Sequence, residues 1–142
     1  MNKESRMEDA KQPRGIRNQN PLNIRKGSQW LGLASQQDTK FCTFIDMEWG
    51  VRAAVKIIRS YARRGIHTVA EIIQTWAPPI ENNTNRYIQV VCSRTGFLPT
   101  HTINIYDENE MVALLMAMSF VEVATILDEK IFRKGYNLAN MY

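Results

Sequence analysis

The stretch DENEMVALLMAMSFVE, residues 107–122, sets the architecture of this chain. Asp107 is a good helix cap, and Glu108 and Glu110 suit the positive end of the helix dipole. From Met111 to Val121 nearly every residue is apolar, the mark of a helix buried on most of its sides. Glu122 closes the run. Met111, Leu115, Met118 and Glu122 fall at i, i+4, i+7 and i+11, so the carboxylate continues an apolar stripe.

Helical periods flank this segment. Val51, Ala54, Val55, Ile58 and Ala62 predict an amphipathic helix over about 49–63, with Arg52, Lys56, Arg59 and Arg63 on its other, solvated face. Thr68 and Glu71 form a capping box for a helix from Val69 to about Trp76, which ends against Pro78 and Pro79. A further helix is expected from Asn83 or Thr84 to Arg94, stopped by Gly96. Asp128 caps a last short helix expected to stop at Gly135. The front differs: Arg14 to Gln37 has no helical period and reads as loops with a short hairpin. Its brief strands are Asn23–Arg25 and Phe41–Phe44. The expected fold is mainly α (α+β): one domain over residues 14–142, preceded by a flexible arm, residues 1–13.

The 142 residues suffice to close one core, and 44% hydrophobic with 23% charged residues excludes a wholly disordered chain. No apolar run approaches the roughly 18 residues of a membrane span. No secretory signal is expected, because the start is charged and no apolar h-region follows. Cys42 and Cys92 sit in apolar company and read as buried free thiols rather than a bridge. With His67 and His101 they do not have the spacing of a metal site, and no cofactor motif is present.

The net charge of +4 is unevenly placed: residues 1–26 hold seven basic and three acidic groups, the remainder eleven of each. In the arm, Lys3, Arg6 and Lys11 are cancelled by Glu4, Glu8 and Asp9, so the surplus belongs to Arg14, Arg17, Arg25 and Lys26. Such a surplus usually meets something anionic, whether nucleic acid, a membrane surface or an acidic wall polymer, and the alternative is a solvated stretch with no partner; no recognised nucleic-acid-binding motif is present.

Three groups of residues have the chemistry of a site. Glu122, desolvated at the end of its stripe, would have a raised pKa, as the general acid of glycosidic cleavage requires. The alternative is a helix-end carboxylate facing solvent or neutralising a core arginine. The segment from Trp76 to Thr84 crowds Glu81, Asn82, Asn83 and Thr84 at a helix start, either as a cap or as a cleft wall that binds sugar hydroxyls. The front loop brings together Asn18, Asn20, Asn23 and Arg25, with Trp30 able to stack on a sugar face; the alternative is a polar loop held by Asx turns.

The string RGIRNQNPLNIRKGSQWLGL, residues 14–33, resembles the opening of a family of small phage and prophage proteins often described as virion structural proteins. Their pattern of Trp-x-Gly, Asp, Phe-x-x-Phe and Gly-x-Arg-Ala is met by Trp30, Gly32, Asp38, Phe41, Phe44 and Gly50 to Ala53. Trp76-Ala77-Pro78-Pro79, Glu81 to Thr84 and Tyr87 match as well, and the resemblance covers about residues 14–139.

The family also looks like part of the lysozyme-like superfamily. In bacterial glucosaminidases and lytic transglycosylases a helix ending in a catalytic Glu precedes an Asn-rich hairpin and a Trp-x-Gly. Here the hairpin-like piece, Asn18 to Gly32, comes first and the helix ending in Glu122 comes last, the order of a circularly permuted domain. Where transglycosylases carry Glu-Ser-Gly, this chain has Glu122-Val123-Ala124.

The resemblance implies a lysozyme-like helical domain that cleaves peptidoglycan, with Glu122 as general acid and then base. Asp38 and Glu81 are the acidic matches that would assist, and Asn18, Asn20, Asn23, Arg25, Trp30, Asn83 and Tyr87 would bind substrate. It further implies a place in the phage particle beside other virion proteins, with action at the bacterial wall. The competing expectation is a non-catalytic virion structural protein that keeps the fold.

Overall fold

The helix over 107–122 forms as expected and organises the rest. In the computed structural model, which describes residues 12–142, six helices follow in order: α1 (Arg14–Arg17), α2 (Met47–Arg63), α3 (Val69–Trp76), α4 (Thr84–Thr95), α5 (Glu108–Val123) and α6 (Glu129–Met141). The fold is mainly helical. The expected flexible arm lies almost wholly outside the described residues.

Local chemistry sets most boundaries. The Asp107 side chain accepts the Glu110 backbone N–H at 3.1 Å and starts α5. Thr68 and Glu71 complete their capping box at 3.2 and 3.0 Å, and Asn83 accepts the Arg86 N–H at 3.2 Å to start α4. Gly96 ends α4 in the left-handed conformation. Along α5, Met111, Leu114, Leu115 and Met118 are fully buried, because α1, α2, α4 and α6 all pack on this helix.

Two expectations are corrected together. Gly135 does not stop the last helix; α6 runs on to Met141. Gly135 instead lets α6 press against α2, since a β-carbon there would lie 2.5 Å from the Val51 side chain and 2.9 Å from the Glu48 carbonyl. The face of α2 that was expected to be solvated is covered in part: Arg63 is exposed and Lys56 half-buried, but the longer α6 encloses Arg59. Arg52 and Arg59 are buried, Arg59 between the rings of Tyr106 and Tyr136, at 4.6 and 5.3 Å from their centroids. Its guanidinium donates to the Asn140 side-chain oxygen at 2.7 Å.

The front segment departs from a hairpin. Arg14–Arg17 makes one helical turn, and the two expected strands meet at one isolated antiparallel bridge, Arg25 with Phe41, where the Cys42 N–H donates to the Ile24 carbonyl at 2.9 Å; Leu33, outside both, bridges Phe44. Asn20 reinforces this short pairing. Fully buried, its amide accepts the Ile24 N–H and donates to the carbonyls of Ile24 and Cys42, all at 2.9 Å. Leu22 and Ile24 are thereby seated in the core. Both cysteines are free thiols, Cys42 buried and Cys92 half-buried.

Candidate functional site

Gly15 lies where α1 meets the end of α5: a β-carbon on it would come within 2.6 Å of Val123 and of the Asn23 side chain. This close approach brings the front loop against the last turn of the buried helix. Asn23, in a left-handed conformation at φ 51°, turns its amide onto Glu122. A cavity of about 390 Å³ opens there, within the range of small-ligand sites. Asn23, Arg25, Lys26, Trp30, Phe41, Ile57, Tyr61, Trp76, Glu81, Asn82 and Glu122 are on its walls.

Glu122 is held from two sides. The Asn23 amide donates to Oε1 at 3.0 Å and the Tyr87 hydroxyl donates to Oε2 at 2.9 Å. Burial pushes the Glu122 carboxyl above its ordinary range, while hydrogen bonds from Asn23, Tyr87 and Trp76 and the charge of Arg25 pull the other way; burial wins. The Tyr87 hydroxyl is pushed well above its own range, first by burial and then by Glu122, so it stays a donor. The arrangement presents one partly desolvated carboxyl, with donors ready for its ionised form, to a cavity with aromatic walls.

The other expected residues divide. Arg25, Trp30 and Glu81 line the same cavity, with the Arg25 guanidinium 2.9 Å from the Glu81 carboxylate. Tyr87 sits behind Glu122, nearly buried. Asn18 and Asn20 do not face the cavity: Asn18 is buried and accepts the Thr43 hydroxyl at 3.1 Å, and Asn20 braces the loop. Asn83 caps α4 and is not among the lining residues. Asp38 lies apart from them too. It accepts two hydrogen bonds from Arg14 at 3.0 and 2.6 Å, and the backbone N–H groups of Lys40 and Phe41. Those bonds, Arg14 first, hold its carboxyl well below the usual range, so it stays ionised and is no proton donor near neutral pH.

Lys26, from the basic front loop, and Trp76, from the segment read as a possible cleft wall, are also on its walls, whereas Phe41, Ile57 and Tyr61 were not expected there. Ile57 and Tyr61 carried one signal: they stand four apart on α2, beyond the edge of its main apolar stripe. Among the described residues, no group of three or more His, Cys, Asp or Glu is placed to hold a metal ion, and no helix is long and apolar enough to cross a membrane.

No protein-family model matches the chain. Protein P5 of Pseudoalteromonas phage PM2 is 40% identical to it over 129 residues, which span 87% of this chain and 79% of that protein.

Proposed function

The chain belongs to the same phage protein family as protein P5 of Pseudoalteromonas phage PM2, and we propose that it cleaves the MurNAc–GlcNAc glycan strand of peptidoglycan. The observation that carries this is Glu122: a carboxyl raised by burial, held by Asn23 and Tyr87, on the wall of a cavity fit for sugar rings. The chain would act as a lytic transglycosylase or muramidase, carried in the phage particle among other virion proteins and working at the bacterial wall. Its fold would be a lysozyme-like domain in permuted order, a reading supported by the front loop meeting the end of the Glu helix.

Protonated Glu122 gives its proton to the glycosidic oxygen as that oxygen leaves the anomeric carbon. The carboxylate left behind is stabilised by the Asn23 and Tyr87 donors and by the charge of Arg25. It then takes a proton either from water attacking the anomeric carbon or from the primary hydroxyl of MurNAc closing onto it. The first route ends in a reducing sugar, the second in an anhydro sugar. Trp30, Phe41, Tyr61 and Trp76 offer faces and edges on which sugar rings pack.

Incubation with purified peptidoglycan sacculi, followed by mass analysis of the soluble muropeptides, tests the proposal. Fragments with anhydro or reducing ends are expected from wild type and none from Glu122→Gln. No release by wild type, or equal release by the variant, would overturn it and leave the non-catalytic virion structural protein as the better reading.

A further inference from the structure

Charge on the cavity wall is unevenly matched. The lining acids are Glu81 and Glu122, and burial favours the neutral form of Glu122. Arg25 has Glu81 as its partner, but both side chains are about half exposed, at 55% and 52%. A pair so open to water contributes at most about 1 kcal/mol and exchanges easily for another carboxylate. Lys26, next on the same wall, has no carboxylate within ion-pair distance among the described residues.

A second lysine adds to the excess. The Lys26 backbone N–H donates to the Lys40 carbonyl at 3.1 Å, which sets the two side by side, and the Lys40 ammonium lies over the Phe41 ring that lines the cavity. Asp38, the acid nearest in sequence, is taken by Arg14. The acetamides and hydroxyls of a glycan are neutral and do not call for this surplus. An Arg fork with a free Lys beside it matches a carboxylate.

The geometry points to a carboxylate subsite on this wall, in which Arg25 and Lys26 take an anionic group borne by a sugar in the cavity, and Glu81 holds Arg25 until that group displaces it. The inference rests on the glycan-cleaving function proposed above and names what the substrate must carry. In peptidoglycan the lactyl ether of MurNAc supplies such groups from two sources. Its own carboxylate is free where the peptide is missing, and the peptide brings carboxylates where it is attached.

Binding tests it, in a Glu122→Gln background so that the strands stay intact. Three immobilised substrates are compared: peptide-bearing strands, strands stripped by an amidase that frees the lactyl carboxylate, and peptide-bearing strands whose carboxylates are capped as neutral amides. The strands that carry the recognised carboxylate are expected to bind about tenfold more tightly than the capped strands, the scale of one charged hydrogen-bonded contact. Adding Arg25→Gln and Lys26→Gln removes the distinction among the substrates, and adding Glu81→Gln tightens binding to the two charged ones. Tighter binding to stripped strands assigns the lactyl carboxylate, and tighter binding to peptide-bearing strands assigns the peptide. Equal binding to all three substrates, or a tenfold preference kept by the Arg25/Lys26 double variant, overturns the subsite. Failure of the cleavage proposal registers separately, as no soluble fragments from wild type on any substrate.

Discussion

The Asn23 amide and the Glu122 carboxylate meet at 3.0 Å across 99 residues of sequence. Asn23 also reaches the Glu122 backbone carbonyl at 3.2 Å, so one side chain ties the front loop to both the carboxylate and the helix end. Because the amide bonds the charged form of the acid, Asn23→Ala removes a downward pull on the Glu122 pKa. The alkaline limb of the pH–rate profile, where the acid loses its proton, is expected to move to higher pH. Tyr87→Phe is expected to move it the same way, with about 1 kcal/mol lost in stability. Carbon NMR titration of the Glu122 carboxyl in each variant checks the direction; a downward shift would rule out this role for the donors.

Stability should carry the same signature. Burial raises the folded-state pKa of Glu122 above its unfolded value, so the folded protein holds this proton more tightly. The contribution is full below the unfolded pKa and is lost as pH rises through the folded one. Glu122→Gln cannot lose it. Thermal melts from about pH 4 to 8 are expected to show the variant gaining on wild type as pH rises. A difference constant with pH would mean that Glu122 is not raised.

Ala124 ends α5 in the left-handed conformation at φ 53°, which glycine adopts without strain. The backbone that a Glu-x-Gly sequence would give is therefore kept with alanine, at a cost. Ala124→Gly is expected to stabilise the protein by about 1 kcal/mol, a rise of about 3 °C in Tm. Calorimetry measures it, and an unchanged or lower Tm would contradict the assigned strain.

At Gly135 the effect is opposite. An added methyl group meets Val51 and the Glu48 backbone, and a backbone carbonyl does not swing aside as a long side chain can. Gly135→Ala is expected to cost about 2 kcal/mol. Denaturant melts with an unchanged m-value would place the loss in native packing, whereas a stabilised variant would mean that the added methyl group is accommodated and that the helix crossing does not require glycine.

What the sequence disclosed follows from how far each interaction reaches. Thr68 with Glu71, Asn83 and Asp107 act within one turn, so α3, α4 and the start of α5 were legible. Gly96 was read rightly as a stop and Gly135 wrongly, because a missing side chain serves a left-handed cap and a close helix crossing equally well. That one misreading also hid the burial of Arg59, since Tyr136 and Asn140, which enclose it, lie beyond the supposed stop. Glu122 stood out because a charge broke an apolar period. Lys26 and Tyr61 converge on it only through tertiary packing. Asn18, Asn20 and Asn23 looked equivalent as a run of amides; nothing local tells which of them turns inward to brace the loop.

Asn20 is a single amide on which the front segment hangs, and amides age. An asparagine deamidates when the nitrogen of the following residue attacks its side chain and closes a succinimide. The following residue here is Pro21, which has no N–H to offer. Conversion to aspartate would set a negative charge, without its two donors, against the carbonyls of Ile24 and Cys42. The neighbour that shapes the turn thus also protects the brace chemically, and gives the cavity wall a shelf life longer than an exposed Asn-Gly turn would have.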